Sequence, residues 1–519
     1  MRQKLLFLTG GRLILSQLTR RISPMGQAPI YPIGLRQSVC VTRDIQGRII
    51  EMKFFTEEKK SGIAENVLLS LFIMLGLSLV FLSRYGFSDD FSVIYYHYTS
   101  PGWGIQWEAM SGRPVYGALR QMMTYTIGSV SGFSWFRLLS VIFIALYAVL
   151  FCSYLRRNNL FNSLYERMTI AVGIAFLPAM QIYAAWAMTY PFALSLCLAF
   201  LSFLAVSTNR GNRRVNEGLG YVLLTLSFFI YQPSAMIFVF FVFFLAFFDP
   251  SRKLSEIIRY GLILGAAMAT NFLYVKIYTA YFGSTGRDGL EHHVFHKILW
   301  FINNPVAQSI QNYNIHRSTL YGVLSALLIL YGIWYTPRKI GFPTKIVLVF
   351  AFCLAIYAPN LIVAETSSPY RTLVGLETIF VVLFFNGLFH IFRANYRYVF
   401  PFVVFLIVFS ADFNIEHYII APQQRQMAEL AQALKSVPHG QPVDFDIRDV
   451  DSAAYSRFRR FEFGGLSIDN SWTPKGMAMT VIRNSHLDDI KLTDGILVSS
   501  PDTKGVYYLR MKLIRNLDY

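Results

Sequence analysis

Apolar stretches of up to 22 residues recur along the chain, set apart by short clusters of Lys and Arg, and no other feature limits the possible folds so severely. A run of that length matches the hydrocarbon thickness of a bilayer when it is helical. An outer-membrane barrel would instead alternate apolar and polar residues over about ten positions, so a pore-forming β-barrel is excluded. Composition agrees: 54% of the 519 residues are hydrophobic and only 15% charged, too few charges for a soluble domain of this size.

Eleven runs are expected to cross, near 66–83, 134–155, 168–188, 191–207, 218–231, 234–248, 260–281, 318–335, 346–363, 372–392 and 398–413. Two connections are tight turns holding Pro, "AMTYPF" and "IYQPSA", where a helix stops or kinks. The net charge of +17 suggests nucleic acid only until its distribution is read. Fourteen Lys and Arg fall in five alternate connections, 156–167, 208–217, 249–260, 336–345 and 393–397, whereas the tight turns carry none and loop 364–371 carries only Arg371. That asymmetry is the positive-inside signal. It predicts a cytoplasmic N-terminus and a C-terminus on the opposite face, with 84–133, 282–317 and a tail from 414 to 519 exposed there, and no nucleic-acid partner.

Residues 1–51 carry eight basic and two acidic residues and no run long enough to span. They are read as a basic extension that is not translated, with Met52 the start of a 52–413 membrane domain. Cys152, Cys197 and Cys353 lie inside apolar runs and are expected to pack as small hydrophobes. In the 414–519 tail, Met427, Leu430, Ala431 and Leu434 give a helix one apolar face. "PVDFDIRDV", "RFEFGGLSI", "GILVSS" and "GVYYLRMKL" suggest short strands, and together these predict a small α+β cap.

Chemistry is sought on the exterior face. Asp89 and Asp90 follow the first span at once; neighbouring acids near a low-dielectric boundary repel, and such an environment suits a general base. The competing reading is a solvated pair or a helix N-cap. Glu108 and Arg113 follow in "WEAMSGRP", with Trp103 and Trp107 at the level of an aromatic belt. Arg371, flanked by Tyr370 and Glu365, is a lone cation on its loop and suits a phosphate. A salt bridge to Glu365 or Glu377 is the alternative. His292 and His296, spaced i, i+4 beside Asp288 and Glu291, do not make a metal site without a second cluster. No Walker loop, GxGxxG after a strand, GxSxG or CxxC pair appears, so nucleotide-driven transport, dinucleotide chemistry and serine hydrolysis lack their supports.

The order of parts resembles the GT-C superfamily of integral-membrane glycosyltransferases. More narrowly, "YGFSDDFSVIYY", "SGRPVYGALRQ" and "YSRFRRFEFGG" look like the glucosyltransferase II family, the serotype-converting enzymes of O-antigen clusters, from about Val67 onward. The resemblance implies an all-α polytopic fold with a periplasmic tail in the bacterial inner membrane. It implies transfer of glucose from polyprenyl-phosphate glucose to a lipid-linked O-antigen repeat, with no cofactor because the donor is already activated. Asp89 or Asp90 would be the base, Arg371 and Arg113 would meet the donor phosphate, and Glu108, Tyr370 and Glu365 would contact substrate. An O-antigen polymerase or ligase is the nearest rival, and a lipid-linked sugar flippase explains the spans without catalysis. Large exterior loops are not strongly basic, which disfavours the first, and no inverted repeat is visible, which disfavours the second.

Overall fold

A computed structural model describes residues 40–510 apart from 44–48, 53–54, 103, 162, 209–211, 252, 284–288, 394, 439, 447–459, 488, 496–497 and 499–505. The chain divides into two units, Met1–Leu68 and Leu69–Tyr519. In the first, Cys40–Arg43 pairs antiparallel with Ile49–Met52, so Met52 sits in a strand. Trp103 and Asp288 lie outside the described residues.

The second unit is mostly helical, and each of the eleven apolar runs falls on helix. Five helices among the described residues are long and apolar enough to cross a membrane: Val130–Arg157, Ala187–Ser207, Ser255–Phe282, Val374–Ile391 and Arg397–Leu434. Leu164–Ala175 and Pro178–Ala185 make a sixth if a pair bent by 56° is counted as one broken span. The bend falls at Pro178, which cannot donate to the preceding turn. Four further apolar helices are shorter, among them Thr319–Trp334 and Phe342–Ile356.

Packing between the helices relies on small residues as much as on bulk. Thr319–Trp334 crosses Val374–Ile391 where Gly332 and Gly387 face the opposing backbone. A Cβ at Gly332 would stand 1.9 Å from the Leu383 carbonyl oxygen, and one at Gly387 2.3 Å from that of Leu328. Only hydrogen fits at such a crossing. Asn386 on the same face donates to the Gly332 carbonyl at 2.7 Å. Elsewhere the core is aromatic, with Phe151, Phe200, Phe203, Phe241 and Phe244 packed edge-to-face and stacked. Cys152, Cys197 and Cys353 are free and buried.

The last span does not end at 413. Helix Tyr396–Ile415 runs through a π-type turn, Glu416–Ile420, into Ala421–Leu434. Leu430 and Leu434 are fully buried, as their spacing predicts, but Gln423 and Gln426 share that buried face. Beyond the helix, Pro442–Asp446 pairs in parallel with Lys491–Leu492 on one side and Tyr507–Arg510 on the other. Residues 460–468 are not a strand; they form an isolated bridge, Arg460 to Phe463, followed by a short 3-10 turn, Ser467–Asp469. "GILVSS" lies partly outside the described residues.

Candidate active site

The segments that the basic-residue count puts on one side meet around a single cavity of about 760 Å³. They are residues 87–120, the turns at Trp186–Phe192 and Tyr231, loop 367–371, and residues 461–472 of the tail. Residues 282–317, expected on the same face, contribute nothing to the lining among the described residues.

The two neighbouring acids part company at the start of helix Asp90–Thr99. Ser88 is held at φ +49°, a region costly for a side-chain-bearing residue, and the turn it makes sends the two carboxylates in different directions. Asp90 is fully buried. Its oxygens accept from the Phe87 N–H at 3.0 Å and the Met188 N–H at 3.1 Å, and Arg137 Nη2 approaches to 3.3 Å. Burial pushes the Asp90 carboxyl up to about 6, against the opposing pull of Arg137 and the two N–H groups; Asp89 adds only a small further rise. Desolvation, rather than repulsion between the pair, therefore sets its acidity. Asp90 is not part of the cavity wall, whereas Asp89 is, half-buried, with Oδ1 accepting from Trp472 Nε1 at 2.7 Å. Neither acid side chain caps the helix end through the cap position: Asp89 occupies it without a side-chain bond.

On the opposite wall, Arg371 Nη1 contacts Glu462 Oε1 at 2.7 Å, and the same carboxylate accepts from the Tyr370 N–H at 2.9 Å. The sequence alternatives for that pairing, Glu365 and Glu377, are not its partners. Arg371 keeps 33% of its side chain exposed, lies 5.3 Å over the Trp186 ring, and has its backbone carbonyl held by the Tyr183 hydroxyl at 2.7 Å. Burial works against its charge, but Glu462 beside it, then Tyr231, and Asp89 more weakly, raise its pKa above the usual value. Tyr231 stacks on Phe192 at 3.7 Å and carries the Arg113 guanidinium 5.0 Å above its ring, so it links the two cations. Arg113 Nε donates to Gln232 Oε1 at 3.0 Å, and the Gly112 carbonyl accepts from Asn271 at 2.8 Å; these bonds pin the "SGRP" turn to the short helix Gln232–Ala235 and to helix Leu254–Phe282.

Glu108 also lines the cavity, paired with Arg120 at 2.7 Å. Arg120 reaches Ser92 as well, and the acids around it outweigh its burial in keeping it charged. Tyr370 is buried against Phe463 behind the wall, while Glu365 is exposed away from the cavity and offers only its backbone carbonyl to Lys297, at 2.6 Å. Trp107 is on the wall. His292 and His296 are both exposed and outside the cavity, and no group of three potential metal ligands occurs among the described residues.

Among the cavity residues that escape the sequence reading are Arg120, Tyr231, Glu462 and Trp472. Tyr231 sits in the "IYQPSA" turn and Glu462 in "RFEFGG", both visible as motifs but silent about their neighbours. Trp472, 383 residues from the acid it holds, carries no local signal at all.

Three acids and three guanidinium groups line one pocket, in a chain with five helices, among the described residues, long and apolar enough to cross a membrane. No curated protein and no solved structure matches the chain. The sequence pattern described as Glucosyl transferase GtrII matches residues 79–391, more than half of the chain and all of the cavity except the tail, and the chain therefore belongs to that family of glucosyltransferases.

Proposed function

We propose that the protein transfers glucose from polyprenyl-phosphate glucose to a hydroxyl of a lipid-linked O-antigen repeat, with inversion, at the periplasmic face of the bacterial inner membrane. The observation that supports the reading is the shared cavity: Asp89 lines it together with Arg371 and Arg113, in a chain with five helices, among the described residues, long and apolar enough to cross a membrane. An isoprenoid donor needs an apolar membrane body for its chain and a polar mouth for its phosphate and sugar. Spanning helices around a charged pocket supply both.

In this mechanism Asp89 takes the proton from the acceptor hydroxyl as its oxygen attacks the anomeric carbon opposite the phosphate. The bond from that carbon to the phosphate oxygen breaks, and the departing polyprenyl phosphate keeps the electron pair. Arg371, with Arg113 joined to it through Tyr231, stabilises the charge that develops there. Glu108 is paired with Arg120 and Glu462 with Arg371, whereas Asp89 accepts from the neutral Trp472, which favours Asp89 as the base. Asp90, buried against Arg137, keeps the start of its helix in place.

Purified protein given polyprenyl-phosphate glucose and O-antigen acceptors tests this directly. Glucosyl transfer is the expected result. Movement of labelled lipid across vesicles without transfer supports a flippase, and joining of glycan repeats supports a polymerase or ligase; either would overturn the proposal.

A further inference from the structure

The family pattern stops at residue 391, yet the wall beside Asp89 is completed by the tail, through Trp472 and Asn470. We propose that Trp472 and Asn470 form the subsite for the acceptor saccharide, with the sugar ring lying on the indole face and its reacting hydroxyl delivered to Asp89. This inference rests on the transferase reading given above and assigns the half of the pocket that the donor does not use.

The two walls differ in chemistry. Arg371 and Arg113, on either side of Tyr231, present cations, which suit an anionic glycosyl phosphate. Ser88, Asn470 and Trp472 present neutral hydrogen-bonding groups and an exposed aromatic surface, which suit an uncharged carbohydrate with apolar ring faces. Trp472 retains 38% of its surface although its N–H is committed to Asp89, so the contact fixes one edge of the ring and leaves the face open. The same bond holds Asp89 Oδ1 and leaves the other carboxylate oxygen for the incoming proton. Trp472 is in that sense both a contact for the acceptor and a positioning residue for the base.

The placement is built rather than incidental. Ser467 Oγ accepts from the Ser88 N–H at 2.7 Å and donates to Gln423 at 2.6 Å, and Asn470 Nδ2 donates to Ser88 Oγ at 3.2 Å. Gln426 accepts from the Ile468 N–H at 3.2 Å. These bonds explain the two glutamines on the otherwise apolar face of helix Ala421–Leu434: they read the backbone and hydroxyl of the turn that carries Trp472. On the far side, helix Pro474–Asn484 presses on Asp90–Thr99 at Gly476, where a Cβ would stand 2.0 Å from the Phe91 carbonyl oxygen. The tail turn is thus clamped to the strained residue immediately before the proposed base, the kind of support a precise site requires.

The test compares W472A, which removes face and N–H, with W472F, which keeps a face and loses the N–H. Acceptor KM and donor KM are measured separately, and binding of O-polysaccharide released by mild acid from the host lipopolysaccharide is followed by saturation-transfer NMR without donor. W472A should raise acceptor KM about tenfold, as truncation of an aromatic anchor does, with donor KM within about twofold. W472F should keep acceptor KM near that of the parent and lower kcat. In the NMR arm, D89N should bind the glycan and W472A should not. An unchanged acceptor KM in W472A, a parallel rise of both KM values, or no glycan signal from the parent protein would overturn the subsite. Glycan binding lost in W472A from a parent that performs no transfer would uphold the subsite while removing the transferase reading; normal transfer and binding by W472A would do the reverse.

Discussion

Asp90 offers the sharpest test of how the two neighbouring acids divide their labour. Arg137 is fully buried, and Asp90 is the carboxylate it meets, at 3.3 Å. Its remaining contacts are the Tyr85 carbonyl at 2.6 Å, the Ala185 carbonyl at 3.0 Å and the Tyr85 ring 3.6 Å from the guanidinium carbon, while Nη1 has no hydrogen-bond partner. Replacing Asp90 with Ala leaves that cation without its counter-ion in a site water does not reach, a loss of about 3–5 kcal/mol for a broken buried pair. Orphaning the Phe87 and Met188 N–H groups adds about 1 kcal/mol or more each. D90N keeps an oxygen for one of those N–H groups and should cost roughly 3 kcal/mol, mostly electrostatic. Equilibrium unfolding in mild detergent measures both, and the double variant D90N/R137M, which removes both charges together, should recover at least half of the loss of D90N. Stability within about 0.5 kcal/mol of the parent in D90A, or no coupling in the double variant, would refute the assignment of Asp90 to structure.

Other outcomes follow from the same geometry. R371A should lower kcat by about 10²–10³-fold, the loss typical when one donor to a developing negative charge is removed, and R371K should recover only part of it; turnover measured at saturating donor checks this. E462Q keeps an acceptor for the Tyr370 N–H and the guanidinium but removes a negative charge beside Arg371, so donor KM should fall severalfold, on the order of 1 kcal/mol; a rise in donor KM would contradict it. G476A forces helix Pro474–Asn484 away from the Phe91 carbonyl, at about 1–3 kcal/mol, and should expose the tail to limited proteolysis while leaving the spanning helices folded. G387A should part helices Thr319–Trp334 and Val374–Ile391, by a similar amount, and the unfolding midpoint reports it.

What the sequence conveyed depended on how local each signal is. Apolar length is a property of single segments, so every run lies on helix, whereas which loops come together at the cavity depends on contacts across the chain. The acid pair was legible as a pair, but which member faces the cavity is decided by Ser88 at φ +49° and by Arg137, 47 residues on, neither of which spacing reveals. Arg371 stood out because it breaks a charge rule; its partner did not, because Glu462 arrives from 91 residues away on a segment whose alternating residues imitate a strand. Tyr370 and Glu365 are promising by their closeness to Arg371 in sequence, yet in the short turn Tyr370–Thr372 the Tyr370 ring packs behind the wall on Phe463, and Glu365, six residues before Arg371, is exposed away from the cavity. The tail's two buried glutamines broke an otherwise clean apolar face, and such an exception is the kind of clue a sequence offers to a site formed across the fold.

The account depends most on Asp89 and Arg371 acting on one glycosyl phosphate. Single-turnover transfer from radiolabelled polyprenyl-phosphate glucose, comparing the parent protein with D89N at matched amounts in detergent, measures this directly. The account predicts a loss of about 10²–10⁴-fold in the transfer rate with donor binding retained, the range for removal of a general base. Transfer by D89N at close to the parent rate would contradict it.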